Sequence, residues 1–335
     1  MTASHATLIP VDSASESAAA PPPSVTGASL SAAVSVRGLI KKYHDHAVVN
    51  GLGFDAERAA VTAVVGPNGA GKTTTIEICE GFRTADAGQV RVLGRDPRVD
   101  AAELKARVGV MLQIGGVYGA ITPRAALAHA ASLYAHPQSP DVLLTQLGLQ
   151  NSARTPYRRL SGGQQQRLGI ALAVIGRPEL VFLDEPTAGL DPQARHATWN
   201  LIADLRQAGV SVVLTTHYLE EAEQLADHVV IVDAGSVVAA GSPAELTAAG
   251  QGDVIRVSAA PRLELSALQK SLPASATALE EAPGSYRVTG AETATMLAAL
   301  MTWCTANSIE PTSVVTERRN LQDVFLELTG KELRP

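Results

Sequence analysis

The run Gly66-Pro67-Asn68-Gly69-Ala70-Gly71-Lys72-Thr73-Thr74 constrains this chain more than any other feature. Before it stands the apolar stretch Val61-Thr62-Ala63-Val64-Val65, which reads as a buried parallel strand, and after it Ile76, Ile78 and Cys79 suit a helix. Strand, glycine-rich turn and helix in that order turn successive backbone N–H groups and a helix N-terminus toward one point, where an anion is favoured. The glycines let the backbone approach a phosphate with no Cβ in the way. Lys72 is spaced to reach between β- and γ-phosphates, and Thr73 to offer its hydroxyl to Mg²⁺. An ordinary strand-to-helix turn with an exposed lysine is the bland alternative; the full spacing and the preceding strand argue against it.

Length and composition set the remaining bounds. A chain of 335 residues with 46% apolar content can build one large or two modest domains with real cores. Its formal net charge of −6 supplies no general attraction to nucleic acid, and no nucleic-acid partner is expected. The two cysteines, Cys79 and Cys304, have neither metal-ligand nor redox spacing, which points to a reducing, cytosolic setting. Apolar runs are broken well short of the ~20 residues a spanning helix needs. Residues 1–33 are rich in Ala, Ser and Pro and lack the basic start and apolar core of a leader, so they are expected to be a disordered tail.

Short strands begin at Val34, and the polar turn between the first two holds Tyr43, an aromatic available to stack on a base or to sit half-buried at a strand edge. Further on, Val108 to Leu112 reads as a strand ending in Gln113, at the kind of carboxyl edge where α/β sheets meet ligands. Residues from about 114 to 175 are Ala- and Leu-rich with helical spacing and several prolines, which suggests a helical insertion. Within it, Ser161-Gly162-Gly163-Gln164 opens a helix with Ser161 as N-cap, a second place suited to an anion. Leu180 to Leu183 then form a buried strand ending in Asp184 and Glu185, Gly189 to Pro192 a turn containing Asp191, and Val210 to Thr216 another strand ending in His217. On the helix that follows, Glu220, Glu221 and Glu223 read as a solvated acidic face. Two short strands and a helix from Pro243 to Ala248 complete a first domain, 34–249; Gly250 to Asp253 make a hinge, and 254–335 form a smaller α/β domain.

These pieces imply a mechanism. Asp184 is expected to hold Mg²⁺ with Thr73, Glu185 to polarise or deprotonate an attacking water, and His217 to contact a γ-phosphate and tie it to Glu185. One nucleotide does not need two glycine-rich helix starts from one chain. Two copies packed head to tail would resolve this, each Ser161-Gly162-Gly163 facing the phosphate held by the other.

Gly66 to Thr74, Gln113, Leu160 to Gln164, Leu183 to Pro186, Gly189 to Pro192 and His217 together resemble the Walker A, Q-loop, signature, Walker B, D-loop and H-loop of ATP-binding cassette (ABC) ATPases, over residues 34 to about 246. The resemblance implies a P-loop α/β core with an antiparallel β subdomain and helical insertion. It also implies that Tyr43 stacks on adenine, Gln113 senses Mg²⁺ and water, Ser161 and Gly163 engage the opposite ATP, and Asp191 couples the two sites. The segment from Asp323 to Leu333, with 188–195 and 215–223, is similar to ATP-binding subunits of bacterial drug-resistance exporters of the daunorubicin type. Such a subunit would work in pairs with a separate transmembrane permease, at the inner face of the cell membrane, the permease touching 113–118 and the helical insertion. The competing expectation is a soluble single-cassette ATPase acting mechanically on a non-transport partner. The single cassette and the lack of zinc-spaced cysteines or heptads weigh against it. A non-hydrolysing, ATP-dependent dimerisation module is disfavoured by Glu185 and His217.

Overall fold

The computed structural model describes residues 32–111, 117–248, 254–290, 292–317 and 319–330. Contacts group the chain into two units, divided between Ser242 and Pro243.

The first unit is built on a six-stranded sheet of order β5-β6-β7-β3-β8-β9. Its strands are β3 (Val61–Val65), β5 (Val108–Met111), β6 (Leu180–Asp184), β7 (Ser211–Thr216), β8 (His228–Asp233) and β9 (Ser236–Gly241). All but β9 run parallel. Every residue of β3, β6 and β7 is buried, the pattern of strands covered on both faces. A second sheet is antiparallel: β1 (Ala32–Tyr43) lies between β2 (His46–Glu57) and β4 (Ala87–Val92). Its inward residues Val34, Val36 and Leu52 share one apolar core with Ile76 of α1 (Lys72–Cys79) and with Phe182, Val213 and Val230 of the large sheet.

The remaining helices are α2 (Ala101–Lys105), α3 (Pro123–Ala131), α4 (Pro140–Gln146), α5 (Gly162–Val174), α6 (Pro192–Gln207) and α7 (Leu219–Leu225). Both α5 and α6 begin where the sequence supplies caps. Ser161 Oγ accepts from Gln164 N at 3.3 Å while Gln164 Oε1 accepts from Ser161 N at 3.0 Å, a reciprocal capping box. Asp191 Oδ1 accepts from Ala194 N at 2.8 Å, with Pro192 at the first helical position.

The second unit is a four-stranded antiparallel sheet, β11-β12-β10-β13, formed by β10 (Val254–Ser258), β11 (Thr277–Ala282), β12 (Ser285–Thr289) and β13 (Ser313–Glu317). Tyr286 and Val288 pack there with Leu268 of α9 (Leu265–Ser271) and with Met296, Leu300 and Trp303 of α10 (Thr293–Ala306). The sequence places the hinge after α8 (Pro243–Ala248), but the contacts group α8 with the second unit. Arg319 donates to the Leu246 and Thr247 carbonyls at 3.5 and 3.3 Å, just before α11 (Leu321–Thr329). Arg256 bonds Glu281, Glu317 and Asp323, so the ionisable residues here make a network; none of the three is solitary. Most of the tail at 1–33, the hinge at 250–253 and the chain beyond Gly330 lie outside the described residues.

Candidate functional site

Parallel register brings the chemistry to one edge of the large sheet. Val65 pairs with Thr216, and Asp184 with Thr215, so the residues that follow β3, β6 and β7 all emerge from the same carboxyl ends. Gly66 to Gly71 leave from the first of these strands, Glu185 from the second and His217 from the third.

The loop after β3 is held from three sides. Gly66 has no room for a side chain, because a Cβ there would stand 2.1 Å from the Val232 carbonyl oxygen of β8. Gly71, at φ 95°, lies beneath the Val48 carbonyl of β2, 2.6 Å from where its Cβ would be. The sequence attributes these glycines to close approach of a phosphate; the structure adds that at both positions neighbouring backbone already excludes a side chain. Lys72 is buried, and its Nζ donates to the carbonyls of Gly66 at 2.7 Å and Pro67 at 3.1 Å. Burial draws its pKa down, opposed by the nearby carboxylates of Glu185 and Asp184. Pro67 and Thr74 are half-buried, Ala70 is buried, and Asn68, Gly69 and Thr73 are exposed along the loop and first turn.

Asp184 and Glu185 are buried, and Thr215 addresses both. Its hydroxyl donates to Asp184 Oδ1 and accepts from the Glu185 backbone N–H at 3.1 Å. Glu185 adopts φ 48°, a left-handed conformation that costs a β-carbon-bearing residue of order 1–3 kcal/mol and is held here by its bonded N–H. Its Oε1 lies 3.2 Å from His217 Nδ1. Burial pushes the Asp184 carboxyl up, against the hydrogen bonds from Thr215 and Thr73 and the charge of Lys72. Thr73 Oγ1 stands 3.4 Å from Asp184 Oδ1. A hydroxyl and a carboxylate that converge beside a phosphate cradle fit Mg²⁺, a hard cation that takes few protein ligands and completes its shell with water and phosphate oxygen. Among the described residues no cluster of three or more His, Cys, Asp or Glu side chains converges on a point.

A second constellation stands apart from the phosphate loop. Ser161, Gly162 and Gly163 share a cleft of about 340 Å³ with Asp191 and Ala194, and no residue of 66–74 lines it. Gln164 is occupied within the chain, capping α5 and donating to Ser152 Oγ at 2.9 Å. Tyr43 is half-buried at the end of β1, with Lys41 Nζ 5.5 Å and the Arg83 guanidinium 5.7 Å from its ring centroid. Gln113 and the run 114–116 lie outside the described residues.

One expectation is overturned. Glu221 is not on a solvated face: it is fully buried, accepting from Thr187 Oγ1 at 2.9 Å and Trp199 Nε1 at 3.3 Å. Of its neighbours Glu220 is exposed and Glu223 half-buried. Three acids in four residues hide which one turns inward, because α7 is too short for its periodicity to decide. In the sequence Thr215 is one more β-branched strand residue; its signal is that it sits two positions before His217.

Fold and site together define a P-loop nucleotide hydrolase. The ABC transporter family model matches residues 49–188. Over 308 residues the chain is 35% identical to the daunorubicin resistance ATP-binding protein DrrA3 of Streptomyces coeruleorubidus, spanning 90% of this chain and 97% of that one. It is 34% identical over 307 residues to the Nod factor export ATP-binding protein I of Ralstonia nicotianae, spanning 90% and 95%. A solved ATP-binding subunit of an ABC transporter superposes with a TM-score of 0.59 at 26% identity, over 64% of this chain and 92% of that structure. The chain belongs to the ABC transporter family, as an ATP-binding subunit that hydrolyses ATP.

Proposed function

We propose that this chain energises an exporter of a drug or other hydrophobic compound, working as a head-to-tail pair on the inner face of the cell membrane against a separate permease. The export reading draws on the resistance and export relatives above. No helix among the described residues is long and apolar enough to cross a membrane, and the permease of this proposal is a separate chain. An apolar groove lined by Phe82, Pro97, Leu104 and Val110, with Phe82 60% exposed, suits docking of a permease's cytoplasmic helix.

The observation that carries the hydrolytic reading is Glu185, clamped by Thr215 and His217 at the sheet edge that also bears Lys72. Lys72 and the loop N–H groups bind the phosphates of ATP; Thr73 and Asp184, with Gln113, would hold Mg²⁺. Bound there, the cation would neutralise charge on the β- and γ-phosphates. Glu185 takes a proton from water as the water oxygen bonds to the γ-phosphorus and the bond to the β–γ bridging oxygen breaks, releasing ADP and phosphate. His217 orients Glu185 and meets the γ-phosphate. Tyr43 stacks on adenine.

Pairing is supported by the cleft at Ser161 and Asp191, whose lining omits the phosphate loop. A helix start with free N–H groups and a serine hydroxyl able to donate then meets the partner's γ-phosphate. ATP holds the pair closed and hydrolysis opens it, a movement passed to the permease. Glu185→Gln tests this. It is expected to bind ATP, lose turnover by ~10²-fold or more, and elute from a sizing column as a dimer only with ATP. A monomer at saturating ATP would sink the shared-site reading. For the export reading, co-reconstitution with a candidate permease in vesicles is expected to raise ATP hydrolysis and move a hydrophobic dye. A hydrolysis rate indifferent to every such permease would favour the soluble alternative.

A further inference from the structure

We propose that Glu221 is a positioning residue of the hydrolytic site, locking the helix behind His217 to the loop that runs from Glu185 to Asp191. The inference rests on the roles given above to Glu185, His217 and Asp191.

A single oxygen makes the link. Glu221 Oε1 accepts from Thr187 Oγ1 at 2.9 Å and from Trp199 Nε1 at 3.3 Å. Thr187 lies two residues beyond Glu185 in the loop toward Asp191; Trp199 lies on α6, whose N-cap is Asp191. Glu221 itself is on α7, four residues after His217. Three segments therefore meet at one carboxylate: the one that presents the water-activating acid, the one that presents the histidine, and the one that reaches the cleft shared by Asp191 and Ser161.

Stability does not explain the group. Glu221 is 0% exposed, and its Oε2 has no hydrogen-bond partner among the described residues. Burial pushes its pKa up, against the nearby Thr216 hydroxyl, the hydrogen bonds from Thr187 and Trp199 and the charge of Arg195. A buried, half-satisfied carboxylate is commonly no better for stability than a well-packed apolar side chain. What an apolar residue cannot do is accept two hydrogen bonds from two different segments and so fix their mutual angle. That angle sets where Glu185 stands relative to His217, at 3.2 Å. It also means that a displacement of Asp191, at the start of α6, reaches the hydrolytic pair through Trp199 and Glu221.

The test compares four variants of the full chain: Glu221→Gln, Glu221→Ala, Thr187→Val and Trp199→Phe. Glutamine keeps an acceptor oxygen for both donors while removing the charge, so Glu221→Gln is expected to keep kcat within ~3-fold. Glu221→Ala and Thr187→Val are expected to lower kcat ~10-fold, with KM for ATP and the Kd for a non-hydrolysable ATP analogue moving less than ~3-fold, the pattern of an interaction felt only in the reaction. Trp199→Phe removes the weaker bond and is expected to lower kcat less. Thr187→Val replaces a hydroxyl by a methyl at constant shape and decides the matter if Glu221→Ala does not fold. A folded Thr187→Val chain with unchanged kcat, a Glu221→Gln chain as slow as Glu221→Ala, or kcat losses that track losses in ATP binding would each overturn the proposal. If Glu185→Gln retained hydrolysis, the reading beneath it would fall instead, so the two failures are distinguishable.

Discussion

Thr215 donates its hydroxyl proton to Asp184 Oδ1 across adjacent parallel strands, and the same oxygen accepts the backbone N–H of Glu185 at 3.1 Å. One strand residue thus orients both acids of the site. Thr215→Val keeps the shape and β-branching of the strand but leaves Asp184 without that donor and the strained Glu185 backbone without its side-chain acceptor. A drop in kcat of ~10-fold or more is expected, with Thr215→Ser restoring most of it. Steady-state ATP hydrolysis with matched melting temperatures checks this; a Thr215→Val chain as active as the unaltered one would remove the threonine from the site.

Lys72 spends its buried ammonium on the Gly66 and Pro67 carbonyls, at 2.7 and 3.1 Å. Lys72→Ala removes both the charge meant for phosphate and the two bonds that shape the loop. ATP affinity is expected to fall ~10-fold or more. Lys72→Arg is expected to bind no better than Lys72→Ala, since a planar guanidinium does not fit the space of a compact ammonium. Titration with a fluorescent ATP analogue reads both, and affinity retained by either variant would contradict the assignment.

Glu80, at the end of α1 beside the groove of Phe82 and Leu104, has its carboxyl pushed by burial from an ordinary 4.5 up to about 8. Between those values the folded chain holds a proton that the unfolded chain has released. Stability from this group is therefore fully present below pH 4.5 and lost as pH rises through about 8, with a slope of at most ~1.4 kcal/mol per pH unit. Burial also raises Asp184 and Glu221, which add slope of the same sign. Glu80→Gln, neutral at every pH, is expected to melt higher at pH 8 than the unaltered chain and to show a flatter profile between pH 5 and 8. Urea unfolding at several pH values measures it, and identical slopes would refute the placement of this carboxyl.

Gly66 meets Val232 of β8, whose carbonyl oxygen lies 2.1 Å from where a Cβ would be. Gly66→Ala should therefore damage the fold as well as nucleotide binding, because backbone rather than a flexible side chain stands in the way. A loss of ~2–3 kcal/mol in unfolding free energy is expected, whereas Gly69→Ala, with nothing within 4 Å, meets only the cost of its positive φ. Equal stability of the two variants by denaturant unfolding would show that the loop moves aside.

Much of this molecule is local and was legible as sequence. The phosphate loop, the acids that end β6 and the serine cap of α5 are contiguous runs whose chemistry depends on neighbours within a few residues, and the apolar strands before them announce a parallel sheet. Only tertiary structure decided the rest. Pairing of β6 with β7 puts Thr215 between Asp184 and the Glu185 backbone; packing of α7 on α6 buries Glu221; the approach of β8 makes Gly66 obligatory as much as any phosphate does. Register, burial and steric exclusion are properties of residues far apart in the chain, so a threonine in a strand, a glutamate among glutamates and a glycine in a loop carry no mark of them until the strands and helices are laid side by side.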